Sequence, residues 1–365
     1  MISKKKYYPQ LDSIRGLSFL AVFFYHAYKP GEAVNAVEAF FTFVYSKLPL
    51  SIDVFFILSS FLLTLLGINE YRIRGNFSFK NYFIRRALRI WPLSYLLMFF
   101  SFVVLALFQK YTGQQITLPP AGWYLFFISN FYLQGHVFFL RLLWTLSVEE
   151  QFYLFWGLCL LLFQKYMGWV ILILAVVSVA FNFIAVIENE DIYFHTLTYV
   201  VDMMGGAYAA FSITNDSRLI KLMNAVKGKR SWLFYSILPA LLLIFFFVDR
   251  ATTGMLNDLG LLIFRFIFIA YTGLVIIDQM INTNAAIDLS NKKILVYTGK
   301  ISYGLYCFHG IVITFGTMAL SKLHFKMLNL VNAMILLLLT FAVASLSYRF
   351  IEKPFLKLKD KLNRI

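Results

Sequence analysis

Ten apolar runs separated by short polar segments make up most of this chain. Runs long enough to cross a bilayer, about 20 residues give or take a few, fall near 13–29, 51–67, 91–109, 144–163, 169–186, 196–213, 233–249, 259–281, 299–321 and 328–347. A further stretch, WYLFFISNFYLQG at 123–135, is too short to cross and is read as an interfacial or re-entrant segment. Basic residues decide the count. With ten crossings and both termini cytoplasmic, the inner segments hold 23 Lys and Arg and the outer ones 7, counting Lys29 at the outer end of the first run, while Arg15, Arg265 and Lys300 lie within helices. An eleventh crossing would put the basic segments 214–232 and 348–365 outside, against the positive-inside rule. The pattern predicts an all-α polytopic membrane protein, a single transmembrane domain over residues 1–365 without linker or repeat. Lys4 to Lys6 and the apolar run behind them resemble a secretory signal, but Asp12 and Arg15 interrupt the run and no small-residue cleavage site follows. A retained first helix is expected.

Composition agrees with the pattern: 60% of residues are hydrophobic and 14% charged, where a soluble domain carries about 25% charged residues. The net charge of +15 sits in short segments beside apolar runs, so topology and anionic lipid headgroups explain it and nucleic acid is not an expected partner. Cys159 and Cys307 both lie inside apolar runs and read as core packing rather than a disulfide.

No extramembrane catalytic domain is evident, so chemistry falls to groups in or beside the bilayer. A charge at a helix centre costs roughly 2.5–3.5 kcal/mol on insertion scales and is rarely kept without a role or partner. Arg15 and His26 share the first helix. Eleven helical steps turn through about 1100°, within about 20° of three whole turns, and climb about 16 Å, so both side chains face one way at two depths. Under the ten-crossing topology the cytoplasmic ends carry Arg15, the cluster Arg85, Arg86 and Arg89, Lys300 and Arg349. The outer half carries His26, Asp53, Glu149, Glu150, Asp202 and Arg265. The first set suits a polyanionic donor such as an acyl-CoA, and the second a hydroxyl acceptor awaiting a base.

Plainer readings exist for each residue. The three arginines also suit a positive-inside flank, Asp12 and Asp53 suit helix starts, and His309 suits a core histidine satisfied by a neighbour. His136, His195 and His324 lie in loops and read as solvated. The adjacent Glu149 and Glu150 cannot share a direction, so one is expected inward and the other toward the headgroups. No set of His, Cys and carboxylates shows metal-ligand spacing, and neither a glycine-rich nucleotide loop nor a G-x-S-x-G elbow is present.

In order along the chain, LDSIRGLSFLAVFFYH, SIDVFFILSSFLLT, FIRRALRIWPL, LWTLSVEEQFYL, ISYGLYCFH and SYRFIEKPF resemble the integral-membrane acyltransferase 3 family of O-acyltransferases. Ser59 and Ser60 depart slightly from its usual Ser and Gly, and the chain looks like the stand-alone form without an SGNH-type domain. The resemblance implies a multi-pass protein of a bacterial inner or plasma membrane, with about ten helices. It implies a cytoplasmic acyl-CoA donor, acetyl-CoA being the common case, and an extracytoplasmic sugar, glycan or lipid-linked sugar as acceptor. It marks Arg15 and His26 as essential and matches Arg86 and Arg89 to a cytoplasmic Arg-x-x-Arg pattern.

Residues and resemblance together suggest that Arg86, Arg89 and Arg15, with Arg85 beside them, hold the donor phosphates. The pantetheine arm runs along the first helix, and His26 acts as general base or forms a transient acyl-imidazole. Asp53 is the candidate to orient that imidazole, with Glu149 or Glu150 as the second choice. Acceptor contacts are expected from the outer segments 30–50, 110–143 and 187–195, where Trp123, Tyr124 and Tyr132 suit sugar stacking or interfacial anchoring. The rivals are a transporter or flippase of a lipid-linked sugar, and a structural subunit of a polysaccharide export complex.

Overall fold

A computed structural model describes residues 7–113, 118–132, 137–215, 217–282, 285–322 and 329–362. Among them the regular structure is helical: α1 (Pro9–Ala27), α2 (Ala36–Ser46), α3 (Ser51–Arg74), α4 (Phe79–Thr112), α5 (Ala121–Leu125), α6 (Phe138–Arg141), α7 (Trp144–Leu162) and α8 (Met167–Glu188). After these come α9 (Thr196–Asn215), α10 (Ser217–Asn224), α11 (Lys229–Ala251), α12 (Met255–Ile281), α13 (Lys293–Lys300), α14 (Ser302–Lys322), α15 (Asn329–Ser347) and α16 (Lys353–Leu362).

Local chemistry sets several boundaries. Pro9 starts α1, where its missing N–H costs nothing. Gly75 at φ 73° and Gly113 at φ 69° close α3 and α4 in the left-handed region that only glycine enters freely. Asn35 accepts from the backbone N–H of Glu38 at 2.9 Å, and Glu38 accepts from that of Val34 at 2.9 Å, a capping box that begins α2. This helix lies in the 30–50 segment, one of those expected to contact the acceptor. Its Phe40 and Phe43 pack on Phe246 of α11, and Tyr45 donates to the carbonyls of Tyr25 and Tyr28.

By length and composition, seven stretches among the described residues are able to cross a membrane: Ala36–Arg74, Phe79–Tyr111, Gln164–Glu188, Lys229–Ala251, Met255–Ile281, Ser302–Lys322 and Asn329–Leu358. The expected runs 13–29, 144–163 and 196–213 are helices too, α1, α7 and α9, but fall outside that group. They carry Asp12 and Arg15, Glu149 and Glu150, and Asp202, and other helices flank them: α3, α13 and α14 beside α1, and α3, α8 and α12 beside α9. A helix screened from lipid by its neighbours need not be apolar all round. The run expected at 299–321 is divided at Ile301 into α13 and α14. The 123–135 segment holds α5 and a 3₁₀ turn at Ser129–Phe131, and Gln151 of α7 donates to the Phe127 carbonyl at 2.9 Å and to Asn130 at 2.8 Å.

Two close helix crossings position the polar groups. A Cβ on Gly299 would collide with the backbone of Asp12, and one on Gly16 would lie 2.5 Å from the Leu295 carbonyl oxygen, so α13 and α1 touch backbone to backbone. Likewise a Cβ on Gly206 of α9 would strike the Ile57 carbonyl of α3, and there Ser60 donates to the Met203 carbonyl. Small residues permit such approaches where lipid supplies no hydrophobic drive between helices. Gly299→Val and Gly206→Val are therefore expected to cost at least the 1–3 kcal/mol, roughly, of an overpacked core. Thermal unfolding in detergent should show both well below wild type, with Gly31→Ala, whose Cβ meets nothing within 4 Å, unchanged.

Candidate active site

Arg86 and Arg89 stand three residues apart on α4 and so share a face; Arg85 lies off it and pairs with Glu70 at 3.0 Å. With Arg15 of α1, Arg86 and Arg89 line a vestibule of about 450 Å³ at one end of the bundle, beside Asp12, Lys300, Lys353 and Lys357. Asp12 holds Arg15 at 3.3 Å, and Lys300 sits over the Tyr348 ring. Arg349, grouped with these cations from sequence, points to the surface. The same three arginines and Tyr303 also line a narrower cavity of about 80 Å³ deeper in the bundle, with Ser59, Thr145, Glu149 and Tyr306. The wide cationic vestibule thus adjoins the smaller cavity, a neck with which it shares these four residues.

Glu149 belongs to this neck and accepts from Ser59 at 3.2 Å. Glu150 is turned toward α4, where it accepts from the Trp91 indole at 3.0 Å, and it is buried. Two sequence expectations are corrected here. Neither carboxylate reaches the headgroups, and Glu149 shares a cavity with the arginines rather than with His26. Arg85 is corrected as well: its ion pair with Glu70 takes it away from the arginine-lined cavity.

At the other end of α1, His26 meets a residue that sequence reading left as a core histidine. His309 of α14 is wholly buried, its Nε2 lies 3.3 Å from His26 Nδ1, and its own Nδ1 lies 2.6 Å from the Tyr306 carbonyl oxygen. A carbonyl only accepts, so the proton of neutral His309 is on Nδ1 and its Nε2 is a bare acceptor. His26 must then carry its proton on Nδ1 and donate it to His309, which leaves His26 Nε2 with a free lone pair. The rings stack 5.4 Å apart at 29°, with Phe138 edge-on to His26 and Phe19 edge-on to His309. The signal that could have found His309 was its place in ISYGLYCFH, eight residues into α14 and on the face turned to α1.

Asp53 does not supply the orientation expected of it. Its carboxylate is engaged by Arg265 Nε at 3.0 Å, and Arg265 also reaches Asp202 at 2.5 Å, Asn182 at 3.2 Å and the Thr198 carbonyl at 3.3 Å. The guanidinium lies over the Tyr199 ring. One cation of α12 is thus tied to α3, α8 and α9 at once. His195, expected to be solvated, is half-buried between Phe131 and Phe181 and accepts from the Leu197 N–H. His136 and His324 lie outside the described residues.

These side chains can hold an elongated polyanion along α1 and present a neutral imidazole beyond it. The acyltransferase domain of the acyltransferase 3 family matches residues 8–349. The chain belongs to this acyltransferase 3 family. It is 27% identical over 378 residues to the peptidoglycan O-acetyltransferase OatA of Listeria monocytogenes, an alignment covering 97% of the chain and 56% of that protein. It is 28% identical over 378 residues to the putative O-acetyltransferase SACOL0978 of Staphylococcus aureus, covering 97% and 58%. With the putative peptidoglycan O-acetyltransferase YrhL of Bacillus subtilis the identity is 26% over 372 residues, covering 96% and 55%. The chain therefore spans little more than half the length of these acyltransferase 3 relatives. No solved structure matches it.

The Arg265 cluster generates a stability prediction. Arg265→Met leaves two buried carboxylates without their cation, a change costing about 3–5 kcal/mol for a buried pair. The variant should lose most of its folded yield and melt far below wild type in detergent, while Arg85→Met, at a partly exposed pair, should stay close to it.

Proposed function

We propose that this protein is a membrane O-acyltransferase that moves an acyl group, acetyl first among the candidates, from cytoplasmic acyl-CoA to a hydroxyl of an extracytoplasmic glycan. We place it in a bacterial inner or plasma membrane with ten crossings and both termini cytoplasmic. The observation that carries the reading is the arginine-lined vestibule and neck, whose wall residue Tyr306 holds His309, together with a His26 whose proton is fixed on the nitrogen facing His309. Family membership and the names of the relatives support acyl transfer. The two relatives named for peptidoglycan make a wall glycan the acceptor to test first.

In this reading Arg86 and Arg89, which form one face of α4, meet the donor phosphates by charge-assisted hydrogen bonds, and Arg15 supports them at the neck. The extended pantetheine arm is long enough to follow α1 across the ~16 Å between Arg15 and His26. His26 Nε2 takes the proton of the acceptor hydroxyl, and the oxygen bonds to the thioester carbonyl carbon. The C–S bond breaks, and the departing thiolate receives the proton from the imidazolium. A transient acyl-imidazole would form on the same nitrogen. His309 is a positioning residue: it receives the His26 Nδ1 proton in a hydrogen bond and so fixes which nitrogen faces the reactants.

Mass analysis of wall and surface glycans tests the function. A strain lacking the protein should lose an ester-linked acyl group, which wild type restores and His26→Ala does not; glycans identical in the null and wild type would favour the transporter reading. Assays of thiol release from acetyl-CoA by the purified protein test the positioning role. His309→Leu should lower turnover about 10–100-fold, the usual loss when an imidazole's orienting partner goes, with little change in KM for the donor. His309→Gln, whose amide oxygen can still accept from Nδ1, should recover much of the rate; equal loss in both variants would mean His309 only fills space.

A further inference from the structure

The arginine-lined cavities account for a donor but leave the acceptor without a place. A separate cavity of about 440 Å³ opens between the histidine end of α1, the last turns of α14 and the first turns of α15, with His26 in its wall. Lys29, Thr317, Ser321, Asn329 and Asn332 contribute the polar part of its lining, and Ile313 and Leu336 the apolar part. Among the described residues Asn332 Oδ1 is buried and has no hydrogen-bond partner. An amide oxygen withdrawn from water and left unpaired is destabilising, and a ligand that donates to it removes that penalty.

We propose that this cleft between α1, α14 and α15 is the acceptor subsite, and that it binds one unit of a hydroxyl-rich saccharide whose hydroxyl is delivered to His26. This inference rests on the acyl-transfer reading and adds to it where the second substrate sits. The chemistry of the walls selects a sugar. A pyranose carries C–H groups on its faces and hydroxyls round its edge, and the described lining of the cleft sets apolar side chains beside amides, hydroxyls and the Lys29 cation. Among the described residues no carboxylate lines it, so a sugar bearing an acidic substituent meets Lys29 without repulsion. Volume agrees as well, since ligand pockets begin at roughly 300 Å³. His26 thereby stands between two compartments. Tyr306, in the wall of the donor neck, holds His309, and His309 holds His26 at the edge of the sugar cleft.

The test uses the full chain in nanodiscs of neutral phosphatidylcholine. Cys159 and Cys307 are buried, so Ser321→Cys offers a single accessible thiol for an impermeant maleimide. A soluble N-acetylglucosamine–N-acetylmuramic acid tetrasaccharide should slow its labelling several-fold, and the protection should disappear when Asn332→Leu is added. In turnover, Asn332→Ala should raise KM for the tetrasaccharide about tenfold, the factor for about 1.4 kcal/mol, while KM for acetyl-CoA stays within twofold. Protection without any thiol release from acetyl-CoA supports the cleft and overturns the acyl-transfer reading. An unchanged saccharide KM in Asn332→Ala overturns the cleft and leaves the acyl-transfer reading in place. Labelling that ignores the saccharide but slows when phosphatidylglycerol is added makes the cleft a lipid site, and also overturns the proposal.

Discussion

A charge in hydrocarbon must be neutralised, hydrogen-bonded or screened by neighbouring helices, and this bundle is arranged around that constraint. Its clearest expression is Arg265, whose guanidinium is shared among Asp53, Asp202, Asn182 and the Thr198 carbonyl. Because those partners come from three helices, the ion cluster fixes α3, α8, α9 and α12 together where lipid gives them no hydrophobic reason to associate. The close α3–α9 approach at Gly206 serves the same end by letting Asp53 and Asp202 converge on one cation.

The arginines of the vestibule obey the constraint differently. Among the described residues Arg15, Arg86 and Arg89 have one carboxylate, Asp12, in ion-pair contact, and they line cavities rather than packed core. Cations facing open space are available to a polyanion, whereas Arg265 is saturated by the protein itself. This contrast separates satisfied charge from available charge better than depth in the membrane does. It also explains why Asp53, at a suitable depth for orienting His26, is unavailable for the task, and why a neutral partner does it instead. A second imidazole orients the first without placing another net charge in the apolar interior.

The two histidines depend on contacts some distance from them. His309 is placed by the Tyr306 carbonyl one helical turn earlier, and both rings are boxed by aromatic edges from α1 and α6. The Tyr306 hydroxyl in turn accepts from Thr145 at 2.6 Å and donates to the Leu142 carbonyl at 3.0 Å, which ties α14 to the start of α7. Imidazole geometry in this bundle is therefore a property of several helices, while the spacing of Arg15 and His26 belongs to one.

That distinction marks what could be read from the residues. The places of the long helices along the chain, the common face of Arg15 and His26, and the shared face of Arg86 and Arg89 follow from hydrophobic runs and the 3.6-residue period, both local properties of the chain, whereas α4 begins twelve residues before its apolar run and the 299–321 run is divided at Ile301. The capping box at Asn35 and Glu38 was equally local and marked α2, although a short amphipathic helix carries too little apolar length to stand out among membrane runs. Pairings were not legible: Asp53 with Arg265 spans 212 residues of sequence and His26 with His309 spans 283. Helical periodicity states which way a side chain points, but not which helix lies opposite. Only the packed bundle decided that Asp53 would be engaged by an arginine, that Glu149 would face the arginine-lined neck, and that a histidine from the far end of the chain would set the proton on His26, because those outcomes depend on backbone approaches between helices that no single segment encodes.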